Sequence, residues 1–122
     1  MESPHKGKTG LVRIWNAFNY SLAGLRAAIR QEPAFRQELF LAMLLVPTAL
    51  FLDVSATSKA LMIASVLLVL IVELLNSAIE AAVDHTSLEQ HPLAKRAKDI
   101  GSAAVLLSLL NVMAVWLLIL FG

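Results

Sequence analysis

Five polar residues inside one apolar stretch frame the chemistry open to this chain. Glu73, Asn76, Ser77, Glu80 and Asp84 follow one another at increments of three, one, three and four. On a helix this spacing puts all five on one face. At about 1.5 Å rise per residue they form a polar ladder on the order of 16 Å long. A carboxylate in such a row can accept a proton from a reacting hydroxyl. With Glu32 and Glu38, Glu80 also offers hard oxygen ligands of the kind Mg²⁺ prefers, and Mg²⁺ commonly brings nucleotide phosphates with it. An ionisable group among apolar residues costs several kcal/mol if unpaired, so by default it marks a functional site. The alternative is that Glu73 and Glu80 only pair with basic residues on a neighbouring helix and fix assembly. That reading is weaker, because neither of the other apolar stretches carries a complementary basic residue.

A second cluster, Lys95, Arg96, Lys98 and Asp99, precedes Gly101 and Ser102. Lys95 and Arg96 read as cytoplasmic anchors. Lys98 and Asp99 lead into small residues that would let a substrate or another helix approach closely. With glycines at 7, 10, 24, 101 and 122, neither a Walker loop nor a dinucleotide fingerprint can form. The chain has no cysteine, which excludes disulfides, thiolate metal sites and a cysteine nucleophile. Its net charge is +1, so no basic surface points to nucleic acid.

The elements that must position these groups are membrane helices. Of 122 residues, 58% are hydrophobic and the mean hydropathy is +0.73, whereas a soluble domain is about half apolar. Residues 1–10 are polar and glycine-containing and read as a disordered cytoplasmic tail. Residues 11–122 form a single all-α membrane domain. In 11–31, Val12, Trp15, Phe18, Leu22, Leu25 and Ile29 recur three or four apart with arginines between them, as in an amphipathic helix lying at a membrane surface. Glu32 and Pro33 end it. Three transmembrane helices follow, over 34–52, 59–83 and 99–121, with a polar turn at 53–58 and a cytoplasmic connection at 84–98. The first span is short, and Pro47 within it predicts a kink. Lys6, Lys8, Arg13, Arg26, Arg30 and Arg36 precede the first span, Lys95, Arg96 and Lys98 lie in the connection, and Lys59 alone occupies the first turn. The N-terminus and the connection are therefore expected in the cytoplasm, and the C-terminus on the opposite side.

Three segments carry a resemblance: EPAFRQE (Glu32 to Glu38), VELLNSAIEAAVD (Val72 to Asp84) and RAKDIGSAAVL (Arg96 to Leu106). Together they resemble the bacterial integral-membrane diacylglycerol kinase family, a likeness that extends over residues 11 to 120. The resemblance implies a homotrimeric helical bundle in the bacterial inner membrane, with ATP as co-substrate and Mg²⁺ as cofactor. It would transfer the γ-phosphoryl group of MgATP to the primary hydroxyl of diacylglycerol, giving phosphatidic acid. By the same resemblance Glu73 matches the general base, and Glu32 and Glu80 the metal-binding carboxylates. Arg13, Tyr20, Glu32, Glu80, Glu89, His91, Lys98 and Asp99 match ATP-binding positions. Arg26, Ala34, Phe35, Glu38, Glu73, Asn76 and Ser102 match positions that line or support the lipid site. The chain departs from the family pattern at Pro33, Pro47, Leu22 and through Thr86 to Lys95.

Related enzymes phosphorylate undecaprenol, so the acceptor has two candidates. From a different class, a small proton-coupled membrane transporter also uses an embedded glutamate, but it would need Glu73 without Glu80, Asn76 or Lys98. A purely structural assembly subunit would show no reaction that depends on Glu73.

Overall fold

Proline places the first boundary. The ring of Pro33 disfavours helical backbone at the residue before it, and Glu32 is extended, at φ −117° and ψ 98°. In a computed structural model describing residues 9–86 and 91–122, this one residue separates α1 (Gly10–Gln31) from α2 (Pro33–Phe51). Two longer helices follow, α3 (Ala56–Thr86) and α4 (Pro92–Phe121). The chain is thus all-helical among the described residues, as expected. Glu89 lies outside them.

Side chains that close helix ends fix how the elements join. The Arg36 guanidinium donates to the carbonyls of Ile29 at 2.8 Å and Arg30 at 3.1 Å. It thereby satisfies acceptors left open at the end of α1 and favours the negative pole of that helix. Lys59 does the same for α2, donating to the Leu50 carbonyl at 2.8 Å. The Ser55 hydroxyl accepts from the Ser58 amide at 3.1 Å, an N-cap that starts α3 three residues before the expected bound of 59. His91 caps α4 by accepting from the Leu93 amide at 3.1 Å, with Pro92 at the first helical position. Residues 92–98, expected in the connection, therefore form the first turns of α4, and α3 runs past 83 to Thr86.

Three helices are long and apolar enough to cross a bilayer: α2 with 19 residues, α3 with 31 and α4 with 30. At about 1.5 Å per residue, α2 just spans a core of about 30 Å, while α3 and α4 exceed it by a few turns. α1 instead leaves Leu11, Ile14, Trp15 and Phe18 uncovered, the apolar face expected of a helix lying on a membrane.

Inside the bundle α3 packs against both α2 and α4, and α1 packs on α2. The inward positions advance in alternating steps of three and four. They are Phe35, Glu38, Ala42, Leu45 and Ala49 on α2, Met62, Val66, Val69, Glu73, Asn76 and Glu80 on α3, and Gly101, Val105, Ser108 and Val112 on α4. That is the heptad spacing of a left-handed helical seam. Small residues on it, Ala42, Ala49, Gly101 and Ser108, are all buried, as close approach between membrane helices requires. Two contacts fix the antiparallel register of α3 and α4. The Trp116 indole donates to the Met62 carbonyl at 3.3 Å. Near the opposite end Gly101 lies against Asn76, where a Cβ would overlap Asn76 Oδ1. Replacing Gly101 by leucine should therefore prise α4 from α3 at a cost of about 1–3 kcal/mol. A thermal unfolding midpoint in detergent micelles should fall accordingly; an unchanged midpoint would show that the two helices do not meet there.

Candidate functional site

Glu73, Asn76 and Glu80 of the polar ladder continue the α3 seam towards Thr86, with Glu73 and Asn76 buried and Glu80 half-buried, whereas Asp84 at the end of the row is exposed. Above it the same seam is apolar, with Met62, Val66 and Val69 buried. Glu73 is 5% exposed and Asn76 is 8% exposed, although both are polar. The change from apolar to acidic packing occurs within one turn, between Val69 and Glu73.

Around Glu73 the helices assemble other carboxylates. Glu38 of α2 faces Glu73 across the seam, and the charges of Glu80 and Glu32 act on it as well. Asn76 donates to Glu80 Oε1 at 3.2 Å, holding that carboxylate against α3. Glu38 Oε2 and Asn76 Oδ1 are buried without a hydrogen-bond partner among the described residues. Nor does any lysine or arginine there pair with Glu38, Glu73 or Glu80. Among the described residues, pairing with basic side chains is thus not what these glutamates do. A cluster of this charge needs protons, a cation or a polar substrate to be stable at low dielectric.

Glu32 reaches the cluster because of its place in the chain. As the single extended residue between α1 and α2, it borders a cleft of about 550 Å³ between α1 and α3. The walls include Gly24, Leu25, Ala28, Leu74 and Ala78, with Gln31 and Ser77 as further polar points. Such an apolar-walled opening beside acidic groups suits an amphiphile with a polar head.

Other expected site residues are disposed differently. Phe35 is 2% exposed and belongs to the packed core one turn before Glu38 on α2, presenting no surface of its own. Arg13, Tyr20 and Arg26 are exposed along α1, as are Ala34 on α2 and Ser102 on α4. His91 caps α4 with its ring nitrogen. Asp99 is engaged by Lys95 at 2.6 Å on the outer side of α4. Lys98 pairs across the helices with Asp84 at 3.0 Å. Glu32, Glu38, Glu73, Asn76 and Glu80 are therefore brought together within one chain, with Lys98 beyond them at the Asp84 end of the row. Arg13, Tyr20 and Asp99 are not. The sequence reading missed the cap made by Arg36, the contact of Gly101 with Asn76, and the pairing that gives Asp84 a partner. Opposite charges at the facing ends of two antiparallel helices were the available signal for that pairing.

No group of three or more histidine, aspartate or glutamate side chains converges on one metal position among the described residues. Chemically the cluster is suited to taking a proton from a group at headgroup depth, and its outer carboxylates to sharing a cation with other oxygens.

Known proteins resemble the chain over nearly its whole length. The family model for prokaryotic diacylglycerol kinase matches residues 19–120. A diacylglycerol kinase of Pseudomonas aeruginosa is 60% identical over 120 residues, covering 98% of both chains. One from Escherichia coli strain K12 is 51% identical over 114 residues, covering 93% of each. A more distant relative of the same name, from Helicobacter pylori, is 44% identical over 115 residues, which is 94% of this chain and 89% of its own. The chain belongs to the prokaryotic diacylglycerol kinase family.

Proposed function

We propose that the chain is an ATP-dependent lipid kinase that transfers the γ-phosphoryl group of ATP to the primary hydroxyl of diacylglycerol, releasing phosphatidic acid and ADP. The observation that carries this reading is Glu73, buried in a membrane helix among three further carboxylates and without a basic partner among the described residues, in a chain of this family.

The base for a lipid hydroxyl belongs at headgroup depth, within hydrogen-bond reach of the proton it takes. Glu73 would lie at that depth, and Asn76 beside it has a buried oxygen without a hydrogen-bond partner among the described residues. Glu73 would accept the hydroxyl proton as the oxygen attacks the γ-phosphorus and the bond to the β-phosphate oxygen breaks. Glu38, Ala34 and Ser102 would line or support the acceptor, with Phe35 packed behind Glu38 and Arg26 at the headgroup level.

Glu80 and Glu32 fit a Mg²⁺ ion in donor chemistry. Both are hard oxygen donors whose charges act on Glu73, and Mg²⁺ is commonly held by one or two carboxylates together with substrate phosphates rather than by an all-protein cage. When bound, the ion would neutralise charge on the transferring phosphoryl group. Lys98 would add a fixed positive charge, doing without a P-loop what such a loop does elsewhere.

Arg13, Tyr20 and Asp99, which lie apart from the cluster within one chain, would join the nucleotide site with Glu89 and His91 in a homotrimer. The long open face of α4, whose buried residues are Gly101 and Ser108, supports such an assembly. The distribution of lysine and arginine supports placement in the inner membrane with N-terminus and active site cytoplasmic and the C-terminus opposite.

The purified protein in mixed micelles should move label from γ-labelled ATP into phosphatidic acid when diacylglycerol and Mg²⁺ are supplied. Label in undecaprenyl phosphate instead would transfer the assignment to that acceptor, and no label in either lipid would overturn the kinase reading. A second expectation concerns the metal. Glu80→Gln should raise the Mg²⁺ concentration for half-maximal rate by about tenfold, equivalent to about 1.4 kcal/mol of binding. An unaltered Mg²⁺ titration would remove Glu80 from the metal site.

A further inference from the structure

Asp84 ends the polar ladder and has no part in the chemistry described so far, yet it makes the ion pair that joins α3 to α4 at the cytoplasmic edge of the site. Its carboxylate lies 3.0 Å from the Lys98 ammonium. The register of the two helices makes this pairing informative. Gly101 lies against Asn76, and Trp116 reaches the Met62 carbonyl. Because α3 and α4 are antiparallel, one turn towards the cytoplasm from the Asn76–Gly101 contact brings Glu80 on α3 level with Lys98 on α4. Both positions continue the inward seams, in steps of four from Asn76 and three from Gly101. The nearest carboxylate by register is thus Glu80, and among the described residues Glu80 is engaged only by the Asn76 amide at 3.2 Å. Lys98 reaches instead one turn further out, to Asp84.

We infer that Asp84 is a positioning residue whose task is to hold the Lys98 ammonium away from Glu80, so that Glu80 keeps its carboxylate open for a divalent cation. The inference rests on the assignment of Glu80 to the metal and Lys98 to the phosphates made above. A lysine and a glutamate on facing seam positions attract each other strongly where water is scarce, and an ammonium on Glu80 would compete directly with the cation. Asp84 offers the same ammonium a partner in a wetter place, its side chain being 64% exposed and that of Lys98 43% exposed. An exposed pair adds little to stability. Its effect is on where the positive charge rests.

The test is a Mg²⁺ titration of lipid phosphorylation at saturating lipid and ATP, run on the full chain with wild type, Asp84→Asn, Asp84→Glu and Glu80→Gln side by side. Asp84→Asn should raise the Mg²⁺ needed for half-maximal rate roughly fivefold, with the maximal rate within about twofold and the thermal unfolding midpoint unchanged, since fivefold is about 1 kcal/mol. Asp84→Glu, which keeps the charge, should restore the wild-type titration. An Asp84→Asn titration that superimposes on wild type, while Glu80→Gln shifts, would overturn the inference and leave the metal assignment standing. So would a loss of maximal rate or of the unfolding midpoint without a shift in Mg²⁺ dependence. If Glu80→Gln itself leaves the titration in place, the metal assignment fails and the inference falls with it.

Discussion

Carboxylates on the packing seam of a membrane helix constrain everything around them. In the middle of a bilayer a charged side chain costs about 2.5–3.5 kcal/mol on insertion scales, and here Glu38 and Glu73 face each other with Glu80 and Glu32 close by. Were these groups only structural, apolar residues at the same seam positions would pack as well or better. In the proposed function the arrangement would supply a proton acceptor at the depth of a lipid headgroup, next to oxygens able to share a cation with phosphates. The cost of burying these carboxylates and their use in the proposed phosphoryl transfer would then have the same origin.

The remaining structure keeps that cluster in register. The apolar half of each seam holds the helices together through small residues at Ala42, Ala49 and Ser108. Gly101 lets α4 come close enough to confine Asn76, and Asn76 in turn holds Glu80. At the membrane surface, Pro33 and Arg36 act together. One takes Glu32 out of the helix and the other ties the last carbonyls of α1 to α2. Glu32 therefore points from a defined corner and not from a flexible linker. Each of these devices is a single side chain at a helix end or a helix crossing.

Much of this was legible in the residues. The apolar runs fix three spanning helices, the surface helix follows from aromatic and arginine residues three or four apart, and the ladder from Glu73 to Asp84 is visible because helical spacing alone aligns it. Less visible was that the ladder lies on the seam itself. That follows once the steps of three and four are continued back from Glu73 through Val69 and Val66 to Met62. Helix ends were read least well. Ser55 and His91 cap helices within segments whose polarity suggests solvated turns, because local polarity does not distinguish a loop from a capped first turn. Lys59 and Arg36 looked like interface charges, whereas they serve as partners for helix carbonyls. Pairing across helices, as between Asp84 and Lys98, depends on a register that no single segment contains.

The central claim is that Glu73 is held in the membrane to react and not to join helices. It is tested most directly by measuring phosphoryl transfer and thermal unfolding on the same preparation of Glu73→Gln. The account predicts that the rate of lipid phosphorylation falls by at least about a hundredfold, the scale of losing a positioned base, while the assembly and its unfolding midpoint are kept or improved as a buried charge is removed. A variant that phosphorylates lipid at the wild-type rate, or one whose activity falls only as far as its folded fraction does, would contradict it.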